Sequence, residues 1–169
     1  MATLAHPSEQ YKDSFIQAVH EFQQEGRYEA YDVDVLSDNF VSFVKTLLDK
    51  AVSPRPDRVP ETVYWLVEED EFLGRVSIRH ELTGFLPDYG GHIGYEIRPT
   101  ERRRGYGTLS LKLVLPKARE LGLNRVLLTC DDTNIGSIKI IEANGGVHQD
   151  TRQLDYRPVP IRRYWIDIP

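Results

Sequence analysis

The distribution of apolar residues in the first third of the chain predicts two helices. Between Ser8 and Gly26 the apolar side chains are separated by three or four residues, which is the period of an amphipathic helix. Ser8 is the expected N-cap of this helix, and Gly26 is its expected end. A second helix is predicted over 35–51, followed by a proline-rich loop at 53–61. The apolar positions that define the two helices are Tyr11, Phe15, Ala18, Phe22, Phe40, Phe43, Val44, Leu47 and Leu48.

The middle of the chain predicts an antiparallel meander of three strands. Segments 62–68 and 72–82 are rich in β-branched and aromatic residues, and an acidic turn joins them, so they are expected to form a hairpin. Segment 92–99 alternates apolar residues with polar or small ones, which is typical of a strand with one face in the core. Its apolar positions are Ile93, Tyr95 and Ile97.

The last third of the chain predicts alternating helices and strands. A helix is expected over 108–121, with a kink at Pro116 because proline removes the hydrogen bond to Lys112. The pattern therefore indicates a single α+β domain over residues 1–169. The later segments are predicted, in order, as a strand, a short helix and a closing pair of strands: 124–130, 134–144, 147–155 and 161–168.

Composition narrows the class of protein. The chain has 169 residues, 40 % of them hydrophobic, and one cysteine, Cys130, so a globular protein of a reducing compartment is expected. Neither a leader nor a long apolar run is found, which favours a cytoplasmic protein with no membrane partner. His20, His80 and His92 lack metal-ligand spacing, so no metal site is predicted. For His92, a hydrogen-bonded structural role is favoured over a place in a substrate pocket.

Positive charge is concentrated in one short segment of an acidic protein. Residues 1–100 carry 9 basic and 18 acidic side chains, whereas residues 101–169 carry 12 and 8. The segment from Arg98 to Arg104 holds four arginines and one glutamate. This cluster predicts a single anion site and argues against nucleic-acid binding, which needs a broad basic face. A solvated charged loop is the alternative interpretation.

The arginine cluster lies in a loop with two glycines, between a strand and a helix. Backbone N–H groups at a helix N-terminus have no helical partner and carry the positive end of the helix dipole, so this position favours a phosphate. Two well-known phosphate motifs do not fit. No lysine follows Gly107, which excludes a Walker loop, and Ser110 replaces the third glycine of the dinucleotide fingerprint.

The loop and the segment after it resemble one family. Arg102-x-x-Gly105-x-Gly107 resembles the [RQ]-x-x-G-x-[GA] signature of the GNAT superfamily of acyl-CoA-dependent N-acetyltransferases, and Asn134 and Ser137 stand in its N-x-x-[SA] positions. The resemblance implies a mixed, mostly antiparallel central sheet flanked by helices. It also implies a splay between the fourth and fifth strands, which admits the cofactor.

The resemblance further implies acetyl-CoA as the acyl donor, without a metal. Asn134 resembles the side chain that binds the pantetheine arm, although it can equally be a helix N-cap. Ser137 has a surface role as its alternative. The residues implied to bind the donor are Ile97, Arg98, Pro99, Arg102, Arg103, Arg104, Gly105, Tyr106, Gly107, Thr108, Asn134 and Ser137.

The implied reaction is direct transfer of an acetyl group to a primary amine. Glu96, on the strand that borders the acyl group, is the candidate general base, and an exposed surface glutamate is the alternative. The Ile97 backbone amide is the candidate for stabilising the oxyanion. Many members carry a tyrosine seven residues after Asn134 that protonates the leaving thiolate, but here Ile141 stands at that position.

The amine acceptor is left open by the sequence. Loop 27–38 is rich in carboxylates and tyrosines, which suits a cationic small-molecule or peptide amine, and a solvated acidic loop is the alternative. Ile141 also leaves a second hypothesis, a catalytically weak or inactive acyl-CoA-binding module of the same fold. A homodimer formed through the closing strand, 161–168, is a further expectation. The loop side chains are Tyr28, Glu29, Tyr31, Asp32, Asp34 and Asp38.

Overall fold

Seven strands form two antiparallel sheets in the computed structural model, which describes residues 1–169. The strands are β1 (Thr3–Ala5), β2 (Glu61–Glu68), β3 (Glu71–Arg79), β4 (Ile93–Ile97), β5 (Arg125–Asp131), β6 (Val147–Arg152) and β7 (Ile161–Asp167). The first sheet has the order β1–β2–β3–β4, and the second has the order β5–β7–β6. The helices are α1 (Lys12–Gln24), α2 (Val33–Asp38), α3 (Phe40–Asp49), α4 (Tyr106–Glu120) and α5 (Ile135–Ala143).

Helices cover both faces of the first sheet and give the α+β layering that the sequence predicts. On one face, β2 buries Trp65 against α1, and its ring stacks on Phe15 with the ring centroids 4.8 Å apart. On the other face, Val76 of β3 packs with Leu111 of α4 and Ile138 of α5. Each face therefore has its own hydrophobic cluster, and β4 lies at the edge of both.

One prediction about the first third of the chain is wrong, and one strand there was not predicted. The helix expected over 35–51 is two helices, because Asn39 leaves the helical conformation with φ −113° and ψ 26°. The Asn39 side-chain amide donates to the Val35 carbonyl at 2.8 Å, a local bond that competes with helix continuation. Strand β1 was not predicted, since three residues are too few to show a period. The first helix begins with a short 3-10 turn, Glu9–Tyr11, capped by Ser8.

The closing strands are confirmed, and the expected homodimer through them stays a prediction. Strand β7 is paired along its length with β5 on one side and with β6 on the other. A strand in the middle of a sheet has no free backbone edge to offer a second copy. The free edge of this sheet belongs to β6, whose residues are exposed apart from the half-buried Asp150.

The boundary between β4 and β5 is the predicted splay. The two strands are neighbours but belong to different sheets, so no ladder of hydrogen bonds joins them. They meet at one point, just before β4 begins. There the His92 backbone N–H donates to the Leu127 carbonyl at 2.8 Å, and the Leu127 N–H donates to His92 Nδ1 at 2.9 Å. Beyond this junction the strands separate.

Candidate active site

The splay opens into a cleft with a volume of about 680 Å³. Its walls come from β4, the loop before α4, the first turn of α5 and the connection between α1 and α2. Most residues implied by the family resemblance line it: Glu96, Ile97, Arg102, Arg103, Gly105, Gly107, Thr108, Asn134 and Ser137. The other lining residues are Glu25, Arg27, Tyr95, Glu101, Gly136, Lys139 and Ile140.

The loop before α4 presents a run of unpaired backbone amides. None of the six residues from Arg103 to Thr108 donates its backbone N–H to an acceptor in the protein. Arg103 and Gly105 adopt positive φ values of 63° and 84°, which curl the backbone and gather successive N–H groups into a concave nest. For Arg103 this conformation costs roughly 1–2 kcal/mol, a strain of the kind that proteins retain at ligand sites. The loop is therefore built to bind an anion.

Gly107 also determines how closely α4 approaches α5. A Cβ atom at this position would lie 2.5 Å from Ile140 Cδ1. A large side chain at Gly107 would thus push on α5 as well as on the loop. A bulky substitution there tests helix packing and anion binding together.

Strand β4 directs alternate backbone amides into the splay. The Arg98 N–H donates to the Leu73 carbonyl at 2.9 Å, which makes Arg98 a hydrogen-bonded position opposite β3. In an antiparallel pair such positions alternate, so the register places the amides of Tyr95 and Ile97 on the side away from β3. These two N–H groups, and not that of Arg98, face the space between β4 and β5. Sequence analysis identified Ile97 but overlooked Tyr95.

The Glu96 side chain lies on the face of β4 opposite to that of the Tyr95 side chain, at the centre of a polar cluster. It is buried, and its carboxylate accepts hydrogen bonds from the Arg27 guanidinium and the Tyr28 hydroxyl. Arg75, directly across on β3, places Nε 3.4 Å from Glu96 Oε2. The Arg27 and Arg75 side chains are about half exposed, with relative accessibilities of 50 % and 42 %. The alternative interpretation of Glu96, an exposed surface glutamate, is therefore wrong.

Several charged groups of the cleft are arranged around its entrance. Arg102 makes a two-pronged ion pair with Glu25, at 2.8 and 2.9 Å, and its Nε donates to the Ile97 carbonyl at 3.2 Å. Arg103 and Lys139 also line the cleft, but neither has a carboxylate partner. These two cations remain available to a ligand that carries phosphate groups.

Four residues implied to bind the donor do not line the cleft. Arg98 is a structural arginine, buried in ion pairs with Glu21 at 2.8 Å and Glu71 at 3.2 Å. Burial alone would raise the pKa of Glu21, but hydrogen bonds from Arg98 and Thr100 bring that pKa below its usual value. The others are Pro99, which begins a 3-10 turn, Arg104, which pairs with Glu101, and Tyr106, whose hydroxyl lies 3.4 Å from Glu68.

Asn134 caps α5 and lines the cleft at the same time. Its Oδ1 accepts the Ser137 N–H at 3.0 Å, which confirms the N-cap. Its side-chain NH₂ group makes no hydrogen bond within the protein, and the neighbouring Gly136 backbone N–H is also unpaired. The first turn of α5 therefore adds free donors to the wall opposite β4.

Two further residues have structural roles. Ile141 is 1 % exposed and belongs to the core, so nothing at that position can donate a proton. His92 is 7 % exposed, and its ring accepts the hydrogen bond that joins β4 to β5. Burial, aided by the charge of Arg79, lowers the pKa of His92 to about 4, so the ring is neutral and able to accept that bond at physiological pH. No group of three or more acidic, histidine or cysteine side chains could hold a metal ion.

The fold, with a cleft between two splayed strands, is that of a class of acyltransferases. A family model described as the acetyltransferase (GNAT) domain matches residues 9–147. The chain belongs to this family, and it is an acetyl-CoA-dependent acetyltransferase. No helix combines the length and the apolar character that crossing a membrane requires.

Solved structures of acetyltransferases share the fold over nearly the whole chain. The microcin C7 self-immunity acetyltransferase MccE, in complex with acetyl-CoA and AMP, has 14 % identity and a TM-score of 0.69, covering 99 % of this chain and 92 % of its own. RimJ from Mycobacterium smegmatis, in complex with CoA-disulfide, has 16 % identity and a TM-score of 0.72, covering 98 % and 81 %.

A third similar structure is an acetyltransferase from Salmonella typhimurium that modifies the N-terminal serine of a 50S ribosomal subunit protein. Its identity is 15 % and its TM-score 0.66, with coverage of 99 % of this chain and 95 % of its own. At identities this low, the structural similarity establishes a shared fold and nothing more. No curated protein matches the sequence.

Proposed function

We propose that the protein is an N-acetyltransferase in which a primary amine attacks the thioester of acetyl-CoA directly. The observation that carries this proposal is the run of unpaired amides from Arg103 to Thr108, which opens into the same cleft as the free amides of β4. One end of the cleft suits phosphates, and the other end suits an acyl group beside a carboxylate. The cleft therefore suits both the phosphate groups and the acyl group of an acyl donor.

The donor is held mainly by backbone. The amides of the Arg103–Thr108 nest bind the pyrophosphate, and the unpaired cations Arg103 and Lys139 add charge where phosphates lie. The free edge of β4 around Ile97 and the side-chain amide of Asn134 bind the pantetheine arm. Arg104 and Tyr106 contribute their backbone N–H groups only. Arg98 is left out, because its amide and its guanidinium are both engaged within the protein.

The oxyanion is stabilised by β4. As the amine attacks, negative charge develops on the carbonyl oxygen of the thioester, and a fixed N–H donor aimed at that oxygen lowers the barrier. Ile97 N–H is the proposed donor, and Tyr95 N–H, which faces the same way, is the second candidate. Because both amides belong to a paired strand, they require no reorganisation during the reaction.

Glu96 is the proposed general base. An amine arrives as an ammonium ion and must lose a proton before it can attack. The half-exposed Arg27 guanidinium already occupies one oxygen of the Glu96 carboxylate, so an acceptor ammonium can take its place without a change in local charge. Tyr28 and Arg75 then hold the carboxylate in position while it takes the proton, directly or through a water molecule.

The acceptor is a small-molecule or peptide amine that enters from the α1–α2 side. The Tyr28 and Tyr31 rings pack edge to face with centroids 5.5 Å apart, and they form an aromatic wall beside Glu96. Aromatic faces and carboxylates attract cations, which supports an amine. One similar structure is described as modifying an N-terminal serine, which makes peptide amino termini a reasonable part of any acceptor panel.

The test combines binding and turnover. Calorimetric titration with acetyl-CoA measures donor binding, and a thiol-release assay then follows turnover with polyamines, amino acids, aminoglycosides, lysine peptides and amino-terminal peptides. Binding together with release on one class of amine supports the proposal and identifies the acceptor. Binding without release on any amine supports the alternative, a non-catalytic acyl-CoA-binding module. Absence of binding overturns the assignment of the cleft.

A further inference from the structure

The cleft lacks a proton donor at the position where the family resemblance places a tyrosine. Ile141 occupies that position on α5, and its side chain is buried in the core among α4, β5 and β7 residues. The phenols outside the cleft are no substitute, since Tyr28 is bound to Glu96 and Tyr106 points toward Glu68. Tyr95 is the one tyrosine that lines the cleft.

Tyr95 approaches the first turn of α5 from the opposite wall. Its ring leaves β4 on the face that packs against α4 and α5, whereas Glu96 leaves on the other face. The Tyr95 hydroxyl lies 3.4 Å from the Ser137 carbonyl, in the first turn of α5. An O–H···O bond is usually 2.5–3.0 Å long, so this contact is weak and leaves the hydroxyl proton available to a better acceptor.

We propose that the Tyr95 hydroxyl donates a hydrogen bond to the leaving sulfur of CoA and replaces the tyrosine that is absent at Ile141. The inference rests on the proposed function, because it concerns the same cleft and the same reaction. The N-terminal turn of α5 supports it. The hydroxyl lies at the N-terminal turn of α5, where the helix dipole favours a negative charge, and the unpaired Gly136 N–H lines the same wall.

The ammonium first passes one proton through Glu96 to solvent, which leaves a neutral amine and an ionised Glu96. The amine nitrogen then forms the new C–N bond, the C–S bond breaks and its electron pair goes to sulfur, and Glu96 takes the second nitrogen proton. Sulfur leaves as a thiolate that accepts the hydrogen bond from Tyr95. Burial raises the pKa of Tyr95 to about 12, above that of a thiol, so the phenol keeps its proton. Solvent protonates the released thiolate and receives the proton held by Glu96.

The main experiment measures the product complex and requires no turnover. CoA is titrated into the protein at pH values from 6 to 10, and the thiolate is followed by its ultraviolet absorbance. We expect the pKa of the bound thiol to be lower in the wild type than in Tyr95→Phe by about 1 pH unit, the effect of one hydrogen bond to a charged group. Desulfo-CoA, which has no thiol, serves as the blank and should show no such dependence.

Tyr64→Phe is the matched control. Tyr64 lies on β2 in the same cross-strand row as Tyr95, through Val76, and it packs against the same hydrophobic cluster outside the cleft. This variant should leave the thiol pKa unchanged. Because both substitutions keep the ring, neither is expected to unfold the protein.

A kinetic measurement distinguishes a catalytic role from a structural one. With an acceptor in hand, Tyr95→Phe should lower kcat by about tenfold to a hundredfold while the KM for acetyl-CoA changes less than twofold. An unchanged thiol pKa in Tyr95→Phe overturns the proposal. If Ser137→Ala raises the pKa of the bound thiol by this amount and Tyr95→Phe does not, the proposal is also overturned and the role belongs to Ser137. Failure to find any acceptor would contradict the proposed function alone, since the thiol titration would still test Tyr95.

Discussion

At the His92 end of the boundary between β4 and β5, the two strands exchange hydrogen bonds and exclude water. At the Ile97 end they have separated, and the amides of Tyr95, Ile97 and the loop from Arg103 to Thr108 have no partner. At the closed end His92 is neutral and buried, whereas the open end is lined with arginines, a lysine and glutamates. The same pair of strands therefore has two unlike ends.

This difference shows where the protein tolerates unsatisfied hydrogen-bonding groups. Buried backbone groups without partners are rare in native proteins because each one costs free energy. Here the unpaired amides of Tyr95, Ile97 and the loop from Arg103 to Thr108 border a surface cleft, where a ligand can satisfy them. The His92–Leu127 junction fixes the point from which the strands diverge, so we interpret it as the pivot that holds the cleft open.

The largest effect is expected from a substitution that breaks the closed end. Gly91 has φ 61°, and a Cβ there would lie 2.4 Å from the Leu127 carbonyl oxygen. Gly91→Ala combines backbone strain with a clash against rigid backbone, so we expect a loss of about 3 kcal/mol in the free energy of unfolding and a drop of about 10 °C in Tm. Thermal unfolding measures both.

Gly84→Ala is the control for this prediction. Gly84 has φ 58°, but a Cβ there meets nothing within 4 Å, so only backbone strain of about 1 kcal/mol is expected. Equal losses for the two variants would show that the junction at Leu127 has no special importance.

A substitution at the open end should impair catalysis and leave the fold intact. Glu96→Gln removes the proposed base, so kcat at neutral pH should fall about a hundredfold, with acetyl-CoA affinity within a factor of two. The unpaired Arg27 and Arg75 are half exposed and can be solvated, so Tm should change little. The exposed Glu81→Gln is the control. An unaltered pH–rate profile would remove Glu96 as the base.

Acid should weaken the closed end first. The folded-state pKa of His92 is about 4 and its ordinary value is 6.5, so the unfolded chain binds a proton that the folded ring excludes. The stabilisation is complete above pH 6.5 and is lost as the pH falls toward 4, by about 2 to 3 kcal/mol in total. His92→Gln should have a flatter stability profile between pH 6.5 and 4.5 in denaturant titrations. Parallel profiles for the two proteins would contradict this assignment.

The smallest expected effect concerns the unpaired cations of the open end. Arg103→Gln should weaken acetyl-CoA binding about fivefold and reduce its dependence on salt, with no loss of stability. Lys112→Gln removes one charge from an exposed position on α4 and should leave the affinity unchanged. Similar losses in both variants would indicate a general effect of protein charge. Calorimetry at two ionic strengths decides between these outcomes.

Sequence patterns predicted the features that depend on short stretches of chain. The alternation of β4, the glycine loop before α4 and the N-cap at Asn134 each lie within a few residues, and the structure contains all three. The split at Asn39 was missed because one side-chain hydrogen bond outweighs an otherwise continuous apolar pattern. Strand β1 was missed because its partner, β2, begins far along the chain.

The different roles of the arginines in this segment could not be predicted from the sequence. Arg98 and Arg102 are separated by three residues, yet one is buried with Glu21 and the other borders the cleft with Glu25, and both partners lie 77 residues away. In the same way, Arg27 reaches Glu96 across 69 residues. Local composition shows that charge is concentrated in a segment, whereas only the folded chain shows which charges face the ligand.

The placement of the cleft between the two sheets has a consequence for how the protein is made. The first sheet and its covering helices α1 to α3 use only residues up to Ile97, and Arg98 then ties them to Glu21. The opposite wall comes from residues after Arg125. During synthesis the face of the first sheet that α1 to α3 cover can therefore pack before the rest of the chain is made, whereas its other face waits for α4 and α5. The proposed coenzyme site needs both stretches, so binding of acetyl-CoA in that cleft would mark a chain synthesised beyond α5.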